Sequence, residues 1–162
     1  MRIALLAPLP PEKNGIADYA NHFRKALEQL GVTVLTPLAG VAGNSEAIKR
    51  AIAGFDWQTV DVVHAELGGG RLGEFLALRE LRKAHPQLPL TATVHDPERM
   101  VWRREHLPFP LSLLERLPSP LPQAAVVLAD PLTLREERQV AKGLTRLVTL
   151  TRLGADCLTA RM

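Results

Sequence analysis

The stretch Ile3-Ala4-Leu5-Leu6-Ala7, followed by Pro8-Leu9-Pro10-Pro11-Glu12-Lys13-Asn14-Gly15-Ile16-Ala17-Asp18-Tyr19, decides the fold class. An apolar run this short suits a strand buried on both faces. The prolines stiffen the loop behind it, and Asn14-Gly15 is a turn and helix-start signal. Ile16, Tyr19, Ala20, Phe23, Leu27 and Leu30 then recur at helical spacing as far as Gly31, a C-terminal stop. Strand, tight loop and amphipathic helix in this order read as the opening unit of a nucleotide-handling α/β domain. Backbone amides at the helix start would face an anion.

The rest of the chain repeats that alternation. Arg2–Ala7, Val32–Thr36, Val60–Ala65, Leu90–His95, Ala124–Ala129 and Arg146–Thr151 read as short buried strands. Helical patterns cover Ser45–Ala53, Glu74–Ala84, Leu132–Lys142 and Ala155–Arg161. The expectation is one Rossmann-like domain over residues 1–162: a doubly wound, mostly parallel, six-stranded sheet in the order 3-2-1-4-5-6. The proline-rich stretch Pro108–Pro122 reads as a surface connection around a short helix, Leu111–Leu117.

Composition removes several classes of function. Hydrophobic content of 46% with 23% charged residues describes a globular chain. No apolar run reaches the ~20 residues of a membrane helix, and the first strand is too short for a signal peptide. A single cysteine, Cys157, excludes a disulfide framework and a cysteine metal cluster, which points to a reducing cytoplasm. The five histidines form no close-spaced ligand set, so no metal is assigned. A net charge of +3 with only 4% aromatic residues lacks the stacking groups of a nucleic-acid binder. Arg99, Arg103 and Arg104, interleaved with Met100, Val101 and Trp102, read as a solvated helix face or docking surface, or as a peripheral contact with the inner face of a membrane. P-loop and nucleophile-elbow motifs are absent.

With the order 3-2-1-4-5-6, the ligand crevice lies between strands one and four. The Gly15 loop and His95-Asp96 would meet there. Gly15 lets an anion approach its amide, or is simply a turn residue. His95 can exchange a hydrogen bond with a ligand hydroxyl, or be a satisfied structural histidine. Asp96-Pro97-Glu98 and Asp130-Pro131 both read as helix starts with a capping aspartate. Gly68-Gly69-Gly70-Arg71-Leu72-Gly73 fits G-x-G-x-x-G but follows the third strand, so it reads as a glycine loop at the cleft rim. Glu66 is then either a ligand contact or a solvated loop residue. His64 reads as packed within strand three, and Trp57 as an apolar anchor.

Pro10-Pro11 through Gly15-Ile16-Ala17-Asp18-Tyr19, with Thr91-Ala92-Thr93-Val94-His95-Asp96, resembles the N-terminal half of GT-B-type retaining glycosyltransferases of the family 4 (group 1) kind. That resemblance implies an acceptor-side domain of a nucleotide-sugar-dependent enzyme whose C-terminal donor domain is missing. Its partners would be a nucleotide sugar and a saccharide or lipid-linked acceptor, with no cofactor beyond the donor. It implies His95 as the catalytic contact, Gly15 at the donor phosphates, and Asp18, Tyr19, Glu66 and Asp96 along the acceptor side. Glu66 and Glu74 share the spacing of that family's donor-site Glu-x7-Glu motif, but in the wrong half. The alternatives are a stand-alone nucleotide- or anion-binding module without catalysis, and an interaction domain using the Arg99–Arg104 surface.

Overall fold

The computed structural model describes residues 1–68, 73–97 and 110–161. Arg99–Arg104, the expected basic surface, and the centre of the glycine loop, residues 69–72, lie outside the described residues. Among the described residues five strands form the sheet: β1 (Arg2–Leu6), β2 (Thr33–Leu35), β3 (Val62–Leu67), β4 (Leu90–Val94) and β5 (Arg146–Thr149). The α-helices among them are α1 (Gly15–Gln29), α2 (Ser45–Ala53), α3 (Gly73–Ala84), α4 (Leu121–Ala141) and α5 (Arg152–Arg161).

All strand pairs are parallel, in the order β2-β1-β3-β4-β5. The α/β class and the parallel sheet agree with the sequence reading. The strand count and the order 3-2-1-4-5-6 do not, and are corrected to five strands in the order 2-1-3-4-5. This second arrangement also winds in two directions from β1, so its switch point lies between β1 and β3.

The lost strand is Ala124–Ala129, which sits inside α4. A short apolar run cannot by periodicity alone be told from a helix segment. Packing decides it. Ala125 and Ala129, four residues apart, are buried against Leu111 and Leu114, whereas Val127 and Leu128 face solvent at 71% and 64% exposure. Residues 111–116 form a 3₁₀ helix rather than the expected α-helix. Pro131, expected at a helix start, lies inside α4.

Strand parity sorts the core into two layers. Ala4 and Leu6 of β1, Val63, Ala65 and Leu67 of β3, and Ala92 and Val94 of β4 join the main apolar cluster, with Phe75, Leu78 and Leu81 of α3 and Ile48 and Ile52 of α2. The other parity of β1 supplies Leu5, which joins Ala7, Ala20 and Phe23 under α1. On that same side β3 and β4 present His64, Glu66, Thr91 and Thr93. This polar layer builds the site.

Replacement of Pro131 separates the two readings of α4. Proline is favoured in the first turn of a helix but costs about 3 kcal/mol against alanine in an interior. Pro131→Ala therefore raises stability by about 1–2 kcal/mol after allowance for the stiffer unfolded chain of the parent. Urea unfolding checks this, and a loss of stability would favour a helix that starts at residue 131.

Candidate functional site

Asn14 caps α1 because its side-chain oxygen accepts from the Ala17 N–H at 2.8 Å while its backbone adopts an extended conformation. Its carbonyl takes the Asp18 N–H at 3.2 Å. The amides of Gly15 and Ile16 keep no partner among the described residues. Nothing lies within 4 Å of where a Gly15 side chain would begin, and its φ is not positive. Neither packing nor backbone geometry asks for glycine here.

Behind this helix start lies a buried carboxylate. Glu66 is the fifth residue of β3 and is 0% exposed, so it is a strand residue and not the rim-loop residue of the sequence reading. His95 follows β4 and holds Glu66 Oε2 through Nε2 at 2.8 Å. The carboxylate can only accept, so the imidazole donates from Nε2. Among the described residues nothing bonds the remaining nitrogen, Nδ1.

His64 sits beside Glu66 on the same face. Its Nδ1 is 2.9 Å from Thr91 Oγ1, whose hydroxyl donates to the Val63 carbonyl. The threonine oxygen can then only accept, which places a proton on His64 Nδ1. Nε2 lies 3.1 Å from Thr93 Oγ1 and 3.2 Å from Glu66 Oε1. The second approach lacks hydrogen-bond alignment, and Oε1 has no hydrogen-bond partner among the described residues. When His64 takes a second proton, Nε2 becomes a donor and the contact becomes an ion pair.

Burial pushes the Glu66 carboxyl toward protonation, but contacts with the His64 and His95 imidazoles outweigh it and hold its pKa below the usual carboxylate range. The Tyr19 phenol is pushed up, first by burial and then by the Glu66 charge, so it remains a neutral hydroxyl. Its ring meets His95 edge-on at 4.9 Å, and Phe23, one turn along α1, tilts against His64 at 5.2 Å.

Gly68 closes the far side with φ +148°. A Cβ there would lie 2.8 Å from Asp96 Oδ2 and 3.0 Å from His95 Cβ, so the carboxyl ends of β3 and β4 approach through glycine alone. The structure thus brings together Tyr19, Glu66 and His95, with Asp96 alongside through Gly68. Asp18 lies exposed in the first turn of α1, and Gly15 opens the helix that carries Tyr19. Sequence reasoning missed His64, Thr91 and Thr93. Their signal was the alternation His64, Glu66 and Thr91, Thr93, His95 on otherwise apolar strands. Among the described residues no group of three His, Cys, Asp or Glu side chains is arranged to hold a metal ion, and no helix is long and apolar enough to cross a membrane.

No protein-family model and no curated protein matches the chain. Among solved structures, a response regulator receiver domain protein from Clostridium thermocellum is similar at 16% identity, over 99% of this chain and 90% of that one, with a TM-score of 0.47. The structure of histidine kinase ThkA in complex with response regulator protein TrrA is similar at 12% identity, over 99% and 97% of the two chains, with a TM-score of 0.45. RcsB from Salmonella enterica serovar Typhimurium, bound to promoter rprA in the presence of a beryllium-fluoride phosphomimetic, is similar at 16% identity, over 100% and 89%, with a TM-score of 0.40.

The glycosyltransferase expectation is corrected: it was drawn on a six-stranded sheet in the order 3-2-1-4-5-6, whereas the sheet has the order 2-1-3-4-5, and none of the three similar structures is described as a sugar transferase. The expected nucleotide-sugar and acceptor partners fall with it. The strand order on which the crevice between strands one and four was drawn is also not the one observed. Likenesses this loose carry nothing about activity.

Two substitutions test the site. The lowered pKa of Glu66 means that its contribution to stability is fully present above the unfolded value of 4.5 and disappears as pH falls through the lower folded value. Thermal unfolding of the parent should lose stability across that acid range more steeply than Glu66→Gln, and equal slopes would contradict the arrangement. Gly68→Ala, which meets both a positive φ and the Asp96 carboxylate, should cost about 1–3 kcal/mol in urea unfolding.

Proposed function

We propose that the chain is a binding module that recognises a phosphoryl group at the carboxyl edge of its sheet. The observation that carries this reading is His95, braced by a buried carboxylate at 2.8 Å and by the Tyr19 ring at 4.9 Å. The brace spends Nε2 and leaves Nδ1 to meet a ligand. Neutral, that nitrogen accepts from a protonated phosphate oxygen; protonated, it donates to the dianion.

The Gly15 and Ile16 amides at the start of α1 supply the other half of an anion site, on the helix that also carries Tyr19. Sheet order adds support, because ligands of doubly wound folds gather at the switch point, here between β1 and β3. Glu66 is sealed from water and faces two imidazoles, so it braces and does not react.

Titration of the chain with inorganic phosphate, followed by amide and imidazole resonances, tests the proposal. Gly15, Ile16 and His95 should shift together at millimolar phosphate, and no shift at these residues would overturn the proposal. His95→Gln should abolish the response, and Gly15→Ala should weaken it severalfold without loss of stability. Beryllium fluoride with magnesium serves as a second probe. Shifts centred on Asp96 with that probe, and none with phosphate, would replace recognition by covalent modification of an exposed carboxylate.

A further inference from the structure

A cavity of about 360 Å³ opens at the opposite, amino-terminal edge of the sheet, between the C-terminal halves of α2 and α3. It shares no residue with the histidine cluster. Its floor is aromatic. Trp57 is buried, and its indole N–H donates to the Ile52 carbonyl at 2.7 Å, which fixes the ring. Phe55, half-buried, tilts against Trp57 at 4.6 Å, and His85 stands 6.1 Å from the same ring. Ile52 completes the apolar wall.

Two ammonium groups line the same opening. Among the described residues Lys49 is engaged only with Glu46, one turn away at 3.2 Å, and Lys83 with Glu80 at 3.4 Å. Both lysines are largely exposed, and pairs of this kind are weakly held and easily redirected. Glu80 also bonds Arg79 at 3.2 Å, so its charge is already shared between two cations. Carbonyl groups at the C-terminal ends of α2 and α3 add partial negative charge here, but the lysines bring two whole positive ones.

We propose that this cavity binds a small aromatic carboxylate, its ring against Phe55 and the Trp57 side of the floor and its anionic group between Lys49 and Lys83. The volume lies at the low end for small-molecule sites, which suits one or two fused rings and excludes a dinucleotide. Apolar contact supplies the attraction, and the lysines select for charge.

The test is titration of the full chain with 2-naphthoate and with its neutral isostere, 2-naphthamide. The Trp57 indole N–H is followed by NMR after assignment through Trp57→Phe. Naphthoate should give a saturable shift at Trp57 and His85 at least tenfold tighter than the amide, with the His95 resonances unmoved. Lys49→Gln with Lys83→Gln should erase that preference while circular dichroism stays unchanged. No saturable shift, equal binding of acid and amide, or a preference that survives the double substitution would each overturn the proposal. Failure here leaves the phosphate site untouched, because the two sets of resonances belong to opposite edges of the sheet.

Discussion

A carboxylate sealed from water can persist in a protein only if other polar groups replace its hydration. Glu66 is such a group, and the carboxyl edge of the sheet is arranged around it. Its partners come from two strands and are themselves held. His95 is braced by the Tyr19 ring, and His64 by Thr91, Thr93 and the ring of Phe23. Loss of His95 would leave the buried Glu66 carboxylate without its hydrogen bond, a cost of about 1–3 kcal/mol. The ends of β3 and β4 and the first turns of α1 are therefore coupled through one anion.

That coupling divides the molecule into layers with different chemistry. Below the sheet, α2 and α3 pack on an apolar face of ordinary composition. Above it, α1 covers a face where His64, Glu66, Thr91 and Thr93 replace the aliphatic residues expected of a parallel sheet. A polar layer of this sort costs desolvation, and a purely stabilising design would have used valine or leucine. Its position at the carboxyl edge, beside the switch point, ties that cost to a ligand-facing imidazole.

The amino edge is organised on another principle. There the indole of Trp57 is tied to the last turn of α2, and aromatic rings meet lysines on exposed helix faces. One edge presents a braced imidazole and helix amides, the other an apolar floor beside exposed lysines. The two differ in the ligand chemistry they offer and share no residue.

How much was legible in the chain follows from the range of the interactions involved. The α/β class, the first strand, the α1 start at Asn14-Gly15 and the bounds of α2 were readable because caps, glycine stops and apolar runs act within a few residues. Ala124–Ala129 was not, since a six-residue apolar run suits a buried strand or a helix equally until Leu111 and Leu114 appear beneath Ala125 and Ala129. The face of each polar residue was also present in the alternation of β3 and β4, but not which strands stand side by side. Local composition therefore determined the kind of element wherever caps and stops bounded it, and the residues at the sheet's carboxyl ends, but not the kind of element at 124–129. Only the tertiary structure decided the order 2-1-3-4-5 and the register Glu66 to Thr93, because strand pairing is set by long-range packing. That pairing is what turned two separated histidines and a glutamate into one cluster.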